Sequence, residues 1–264
     1  MRKLFMLFPL LLSCGMCSDV EKSELIKERS PNYFTEEQWN KLAGSRIFFG
    51  CQSVGRNIVD GAIDLQSETM NIQFVNIESL ENSDCSSGFF LYSRIGENFN
   101  PISKIDDFVI ILRNGLGNEV DIALMKLGYL DISRSTNLNS LFMYYRNSMD
   151  TLQNLYPDLR LIHCTVPLTT KLKGLKGLVK AILRMDYNDC RENYNNLIRS
   201  YYKPDEIFDI AKVQSELPDG SRYEYRNHFT GMIDYYSTDG GHLSQIGSLV
   251  VGRELIKTLL YAVE

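Results

Sequence analysis

The stretch Arg46-Ile47-Phe48-Phe49-Gly50-Cys51-Gln52-Ser53-Val54-Gly55 passes from one kind of secondary structure to another with no linker between them. Arg46 to Gly50 is a short apolar run ended by glycine, the mark of a strand buried on both faces. Val54, Ile58, Ala62 and Leu65 then recur near helical spacing, so the chain enters a helix through Gly50-Cys51-Gln52-Ser53. In open parallel sheets the crevice at the carboxyl ends of the strands receives loops and helix N-termini. Ser53 therefore sits at the turn, with its hydroxyl toward that crevice and free helix N–H groups beside it. Taken alone, a serine in this place also reads as an ordinary helix N-cap.

Outward from this unit the pattern repeats. Thr35-Glu36-Glu37-Gln38 is a capping box that starts a helix before the first strand. Further strands are expected at residues 72–77, 121–127, 159–166 (cut off by Pro167) and, briefly, 207–211. Helices are expected at 137–155, which stops before Pro157, at 186–202 and at 244–261. Residues 102–112 follow Pro101 and read as a helix, although Phe108-Val109-Ile110-Ile111 reads equally well as a strand. Strands alternating with helices imply one α/β domain, in which a central, mostly parallel sheet of about five strands is covered on both faces.

Composition bounds the partners. The chain has 264 residues, 44% of them hydrophobic, and a net charge of −5 from 28 basic and 33 acidic side chains. No basic run is interleaved with aromatics, so nucleic acid is not an expected partner. Arg2 and Lys3 precede an apolar run from Leu4 to Leu12, which is too short to span a bilayer and reads as a signal peptide over residues 1–13. Leu11-Leu12-Ser13-Cys14 resembles a lipobox, which implies lipidation at Cys14, with Cys17 the rival site. Residues 14–33 read as a tether and 34–264 as the domain. The expectation is an exported bacterial lipoprotein held at the cell envelope by its N-terminal lipid, periplasm-facing or at the surface, with the outer membrane as the expected membrane. Exported compartments permit disulfides, but the remaining cysteines, Cys17, Cys51, Cys85, Cys164 and Cys190, give no pairing.

The second segment with chemistry is Thr238-Asp239-Gly240-Gly241-His242-Leu243, just before the last helix. A carboxylate three residues ahead of a histidine can fold back onto Nδ1–H when the chain between them turns tightly, and two glycines make that turn inexpensive. Asp239 would then fix the tautomer and leave Nε2 to take a proton from a serine across the crevice. By itself, Asp-Gly-Gly-His also reads as a loop carrying a surface histidine.

A serine after the first strand and an Asp-x-x-His before the last helix form an order that resembles the SGNH, or GDSL-like, hydrolase family. The resemblance covers about Arg46 to the C-terminus. It implies a flavodoxin-like three-layer α/β/α fold and metal-free ester hydrolysis, commonly of acyl groups on sugars or lipids, with Ser53, His242 and Asp239 as the triad. It implies no cofactor, and a glycan or small-molecule ester as substrate. The family's glycine donor to the oxyanion is matched by Gly96, with Gly88 behind it. The chain departs from the family in two places: Gln52 stands directly before the serine, and Gly128-Tyr129-Leu130-Asp131 lacks the oxyanion asparagine. Asn98 and the Ser53 amide are the replacements the sequence offers. These departures also feed the alternative of a non-catalytic lipoprotein whose crevice binds glycan or a partner protein.

Other candidates have plainer readings. Cys51 at a helix N-terminus could be a thiol nucleophile, against a packed apolar thiol. His163 lies inside a strand, where a core histidine bonded to backbone is the default, and His228 precedes the triad loop and could contact substrate. Three histidines with no carboxylate grouping at ligand spacing give a metal site little support. Lys126, near a strand end, either pairs with Asp131 or Glu97 or sends its head to water.

Overall fold

The capping box forms as the sequence predicts. Gln38 N donates to Thr35 Oγ1 at 3.2 Å and Thr35 N donates to Gln38 Oε1 at 2.9 Å, starting helix α1 (Glu36–Ala43). Strand β1 (Arg46–Cys51) follows, and Gln52 alone separates it from helix α2 (Ser53–Ile63). The computed structural model describes residues 33–66, 72–79, 88–171, 186–225 and 229–263. Residues 1–13, expected as a leader, Cys14, Cys17, Cys85, His228 and nearly all of the expected tether lie outside the described residues.

The sheet contains β1, β2 (Gln73–Asn76), β3 (Phe89–Arg94), β4 (Ile122–Met125), β5 (Arg160–Cys164) and β6 (Ile207–Phe208). Their order is β2-β3-β1-β4-β5-β6, and every neighbouring pair is parallel. Six strands replace the expected five because β3 was not anticipated. Its run Phe89-Phe90-Leu91-Tyr92 is buried throughout, as a strand with a neighbour on each side must be. By inserting between β2 and β1 it moves β2 to the sheet edge, where β2 is only partly buried. Residues 207–211 are also corrected: only Ile207 and Phe208 extend, because Asp209 Oδ1 accepts from Lys212 N at 3.0 Å and caps helix α6 (Ile210–Ser215).

The ambiguous segment is a helix, α3 (Pro101–Arg113), capped by Asn100 Oδ1 accepting from Ser103 N at 3.1 Å, with Pro101 in the first turn. Ile105, Phe108 and Leu112 face inward while Ile110 stays exposed, which is helical periodicity. Helices α4 (Leu138–Leu155), α5 (Asn188–Tyr201) and α7 (Gln245–Ala262) follow the sequence expectation within two residues. Strands β7 (Glu224–Tyr225) and β8 (Phe229–Thr230) form a separate antiparallel pair. Along β1, Ile47, Phe49 and Cys51 enter the apolar cluster that includes α1, α2 and α7, whereas Phe48 enters the one with α3, α4 and α5. That alternation makes three layers.

Helices α2 and α7 approach at backbone distance. A Cβ added to Gly61 would lie 1.9 Å from the Ser248 carbonyl oxygen, and one added to Gly252 would lie 2.6 Å from the Ala62 nitrogen. Neither neighbour is a flexible side chain. Gly61→Ala is therefore expected to cost about 1–3 kcal/mol despite alanine's better helix propensity, because the two helices must part. Thermal unfolding checks this, and an unchanged or raised midpoint would refute it.

Candidate active site

The turn after β1 leaves a helix N-terminus open. Gln52 occupies the N-cap position of α2 in extended conformation, but its side chain does not cap the helix. Its Nε2 instead donates to the carbonyls of Ile95 at 2.7 Å and Gly96 at 2.6 Å, pinning the loop after β3 to the turn. The first N–H groups of a helix lack intrahelical partners, and among the described residues the Ser53 amide has no acceptor. The Ser53 side chain is exposed. Since β1 lies between β3 and β4, this open terminus stands at the middle of the crevice.

The Asp239-Gly240-Gly241-His242 loop folds back as its spacing predicts. Gly240 takes φ 97°, a conformation that costs glycine nothing, and Asp239 Oδ1 accepts from the amides of Gly241 at 2.9 Å and His242 at 2.8 Å. Asp239 Oδ2 lies 2.6 Å from His242 Nδ1. Burial alone would raise the Asp239 carboxyl, but the hydrogen bonds from the His242 ring and the two amides outweigh it and hold the group at about 2. An ionised carboxylate only accepts, so Nδ1 carries the proton and Nε2 keeps its lone pair. Ser237 Oγ braces the loop by donating to the His242 carbonyl at 2.7 Å, and Thr170 N donates to the Gly240 carbonyl at 2.9 Å.

Two contacts bring the serine and histidine segments to one place. Leu243 N donates to Asn57 Oδ1 at 3.3 Å, and Asn57 lies one helical turn after Ser53 on the same face of α2. The close packing of α2 on α7 fixes the second side of the frame. Among the described residues no hydrogen bond joins Ser53 to His242, and the His242 and Asp239 side chains are 38% and 55% exposed. Catalytic hydrogen bonds are commonly long in unliganded sites and tighten on substrate. Tyr129 covers one side of the histidine edge-on, with ring centroids 6.1 Å apart.

The expected oxyanion residues fare differently. The Gly96 amide already donates to Asp107 Oδ2 at 2.7 Å, so it is engaged rather than free. Asn98 is exposed, and its Oδ1 accepts from Lys104 Nζ at 3.2 Å, which leaves the amide nitrogen of its side chain available. Behind it lies a buried ion pair that sequence reading missed: Lys104 Nζ sits 2.6 Å from Asp131 Oδ2, with both side chains almost fully buried. Asp131 also accepts from Gly128 N at 2.5 Å and from Phe99 N at 3.0 Å, and Phe99 is held at φ 66°. Asp131 itself was visible in the sequence, but its partner was hidden inside a helix.

The remaining candidates resolve plainly. Cys51 is buried, and burial pushes its thiol up to about 12 against the pull of Lys126 and Arg56, so it is a packed neutral thiol. His163 is a core histidine bonded to the Tyr145 hydroxyl at 2.9 Å rather than to backbone, and burial lowers it to about 3. Cys51, Cys164 and Cys190 are free thiols. Among the described residues no His, Cys, Asp or Glu grouping could hold a metal ion, and no helix is long and apolar enough to cross a membrane.

No known family profile matches the chain, and no curated protein matches it. Solved structures do. A candidate platelet activating factor from Streptococcus pneumonia matches at 15% identity and TM-score 0.50, over 94% of this chain and all of that one. The chain shares the fold of that structure, a mostly parallel sheet between two layers of helices. Two further structures align less closely. One is a candidate lipolytic protein of the G-D-S-L family from Desulfitobacterium hafniense DCB-2, with 8% identity, TM-score 0.46, and coverage of 81% of this chain and 99% of that one. The other is the periplasmic domain of a Salmonella ser. Paratyphi A lipopolysaccharide acetyltransferase, with 13% identity, TM-score 0.43, and coverage of 93% and 97%. Such distances speak to the fold and not to chemistry. The packing of α7 on α2 and the Leu243–Asn57 hydrogen bond bring the loop that carries Asp239 and His242 beside the helix that Ser53 begins, 186 residues away from Asp239 in sequence.

Proposed function

We propose that the protein is an envelope-anchored serine esterase that removes an acyl group from a glycan or small-molecule ester. One observation carries the reading: the Asp239–His242 hydrogen bond of 2.6 Å, on a loop tied through Asn57 to the helix that Ser53 begins. In the reaction, Ser53 Oγ bonds to the ester carbonyl carbon as His242 Nε2 takes its proton. The tetrahedral species then breaks its bond to the alcohol, which leaves with the proton from His242. Water attacks the acyl-serine in the same manner and releases the carboxylic acid. The Ser53 amide and the Asn98 side chain are the donors for the oxyanion. The leader and Cys14 support export and attachment through an N-terminal lipid, which makes acylated envelope glycans the substrate class.

A second reading, a crevice that binds glycan or a partner protein without turnover, is favoured by the lack of a Ser53–His242 hydrogen bond among the described residues and by the engaged Gly96 amide. Turnover of p-nitrophenyl acetate by the mature domain separates the two. The esterase reading expects Ser53→Ala to lose at least about 10³-fold in rate, as removal of a triad nucleophile does. Equal rates for the two proteins would refute it.

A further inference from the structure

The end of β4 carries a lysine that the proposed reaction leaves unused. Lys126 is 2% exposed, and its backbone amide donates to the Gly50 carbonyl at 3.1 Å, continuing the β1–β4 ladder. Its side chain shares the sheet face of Cys51, the face covered by α2 and α7. A Cβ built on Gly55 would lie 3.2 Å from Lys126 Cε and 2.5 Å from Cys51 Sγ. The lysine stem thus runs under the first turn of α2, which Ser53 begins, beside Cys51, whose side chain is what requires a glycine at position 55.

The charged and titratable groups facing Lys126 are the Cys51 and Cys164 thiols and, farther off, the Lys104–Asp131 pair. Neither expected partner neutralises it: Asp131 is taken by Lys104, Gly128 and Phe99, and Glu97 makes no ion pair with it. Burial drives both thiols above the ordinary cysteine range, so they stay neutral. Among the described residues Lys126 Nζ has no hydrogen bond and no salt bridge. Burial lowers Lys126 to about 8, so the ammonium remains the main form at neutral pH.

Folding gains nothing from this placement. A buried cation without a partner is costly, and the positive end of a helix dipole repels it further. The same two features favour an anion arriving at that spot. We propose that Lys126 is a positioning residue of the Ser53 site, whose unpaired ammonium under the first turn of α2 offsets the negative charge that develops on the acyl oxygen as Ser53 attacks. It acts through the helix terminus. The proposal rests on the esterase reading above.

The test compares p-nitrophenyl acetate turnover and thermal unfolding of the mature domain as wild type, Ser53→Ala and Lys126→Met. Lys126→Met is expected to lower kcat about 10–10²-fold with KM within about twofold, since the effect is on developing charge and not on binding. Its unfolding midpoint should rise, because an apolar chain of similar length replaces a buried unpaired charge. Lys126→Gln, which keeps polarity but not charge, gives the same kcat readout where the methionine variant does not fold. Wild-type kcat in either folded variant overturns the proposal while leaving the esterase reading intact. Equal rates for wild type and Ser53→Ala overturn the esterase reading, and the role of Lys126 falls with it.

Discussion

Asp131→Ala is expected to destabilise the domain by about 3–5 kcal/mol, the usual cost of removing one partner of a buried ion pair. Lys104 and Asp131 are 2.6 Å apart with side chains 1% and 0% exposed. Removing the carboxylate leaves the Lys104 ammonium in the interior with Asn98 Oδ1 as its remaining partner, and strips the Phe99 and Gly128 amides of their acceptor. The loop from Gly96 to Asn100, in which Phe99 takes a left-handed conformation, loses its anchor at the same time. Asn98 lies in this loop, so activity should fall along with stability. The double variant Lys104→Met/Asp131→Leu is expected to recover most of the lost stability, because the desolvation penalty disappears together with the charges. Denaturant unfolding of the three proteins measures both effects. A loss below about 1 kcal/mol for Asp131→Ala, the range of surface pairs, would show that the pair is effectively solvated.

Asp239→Asn is expected to reduce kcat for ester hydrolysis by about 10³–10⁴-fold with little change in stability, as in Ser-His-Asp hydrolases generally. An asparagine keeps the Oδ1 that accepts from Gly241 N and His242 N, so the loop retains its shape. At the second position an amide nitrogen replaces Oδ2, and a donor facing Nδ1 forces the ring proton onto Nε2. That tautomer has no lone pair for the Ser53 proton. The wild-type carboxyl is held at about 2, so lowering the pH toward neutral or mildly acidic values does not mimic the substitution. Steady-state kinetics together with an unfolding curve decide it: a normal melt with wild-type kcat would remove Asp239 from the mechanism.

How much of this was legible from residues differs by segment. The β1-to-α2 passage, the capping box at Thr35 and the Asp-Gly-Gly-His turn follow from interactions within a few residues, so the sequence by itself determined them. A glycine tolerates φ 97° wherever it occurs, and a carboxylate three residues ahead of a histidine needs only a tight turn to reach it. The short strand β3 was written in Phe89-Phe90-Leu91-Tyr92, but a four-residue apolar run acquires a meaning only from the strands that flank it. Partners set by long-range packing were decided by the tertiary structure. Lys126 had two candidate carboxylates in sequence and meets neither, because Asp131 is claimed by a lysine from α3. Gly96 reads as a free donor until the helix that follows returns Asp107 to its amide. Asn57 reads as one more residue of an amphipathic helix until α7 brings Leu243 against it. Local turns and caps are fixed by covalent geometry and nearest hydrogen bonds, whereas the charge state and exposure of a site depend on which distant groups the layers bring into contact.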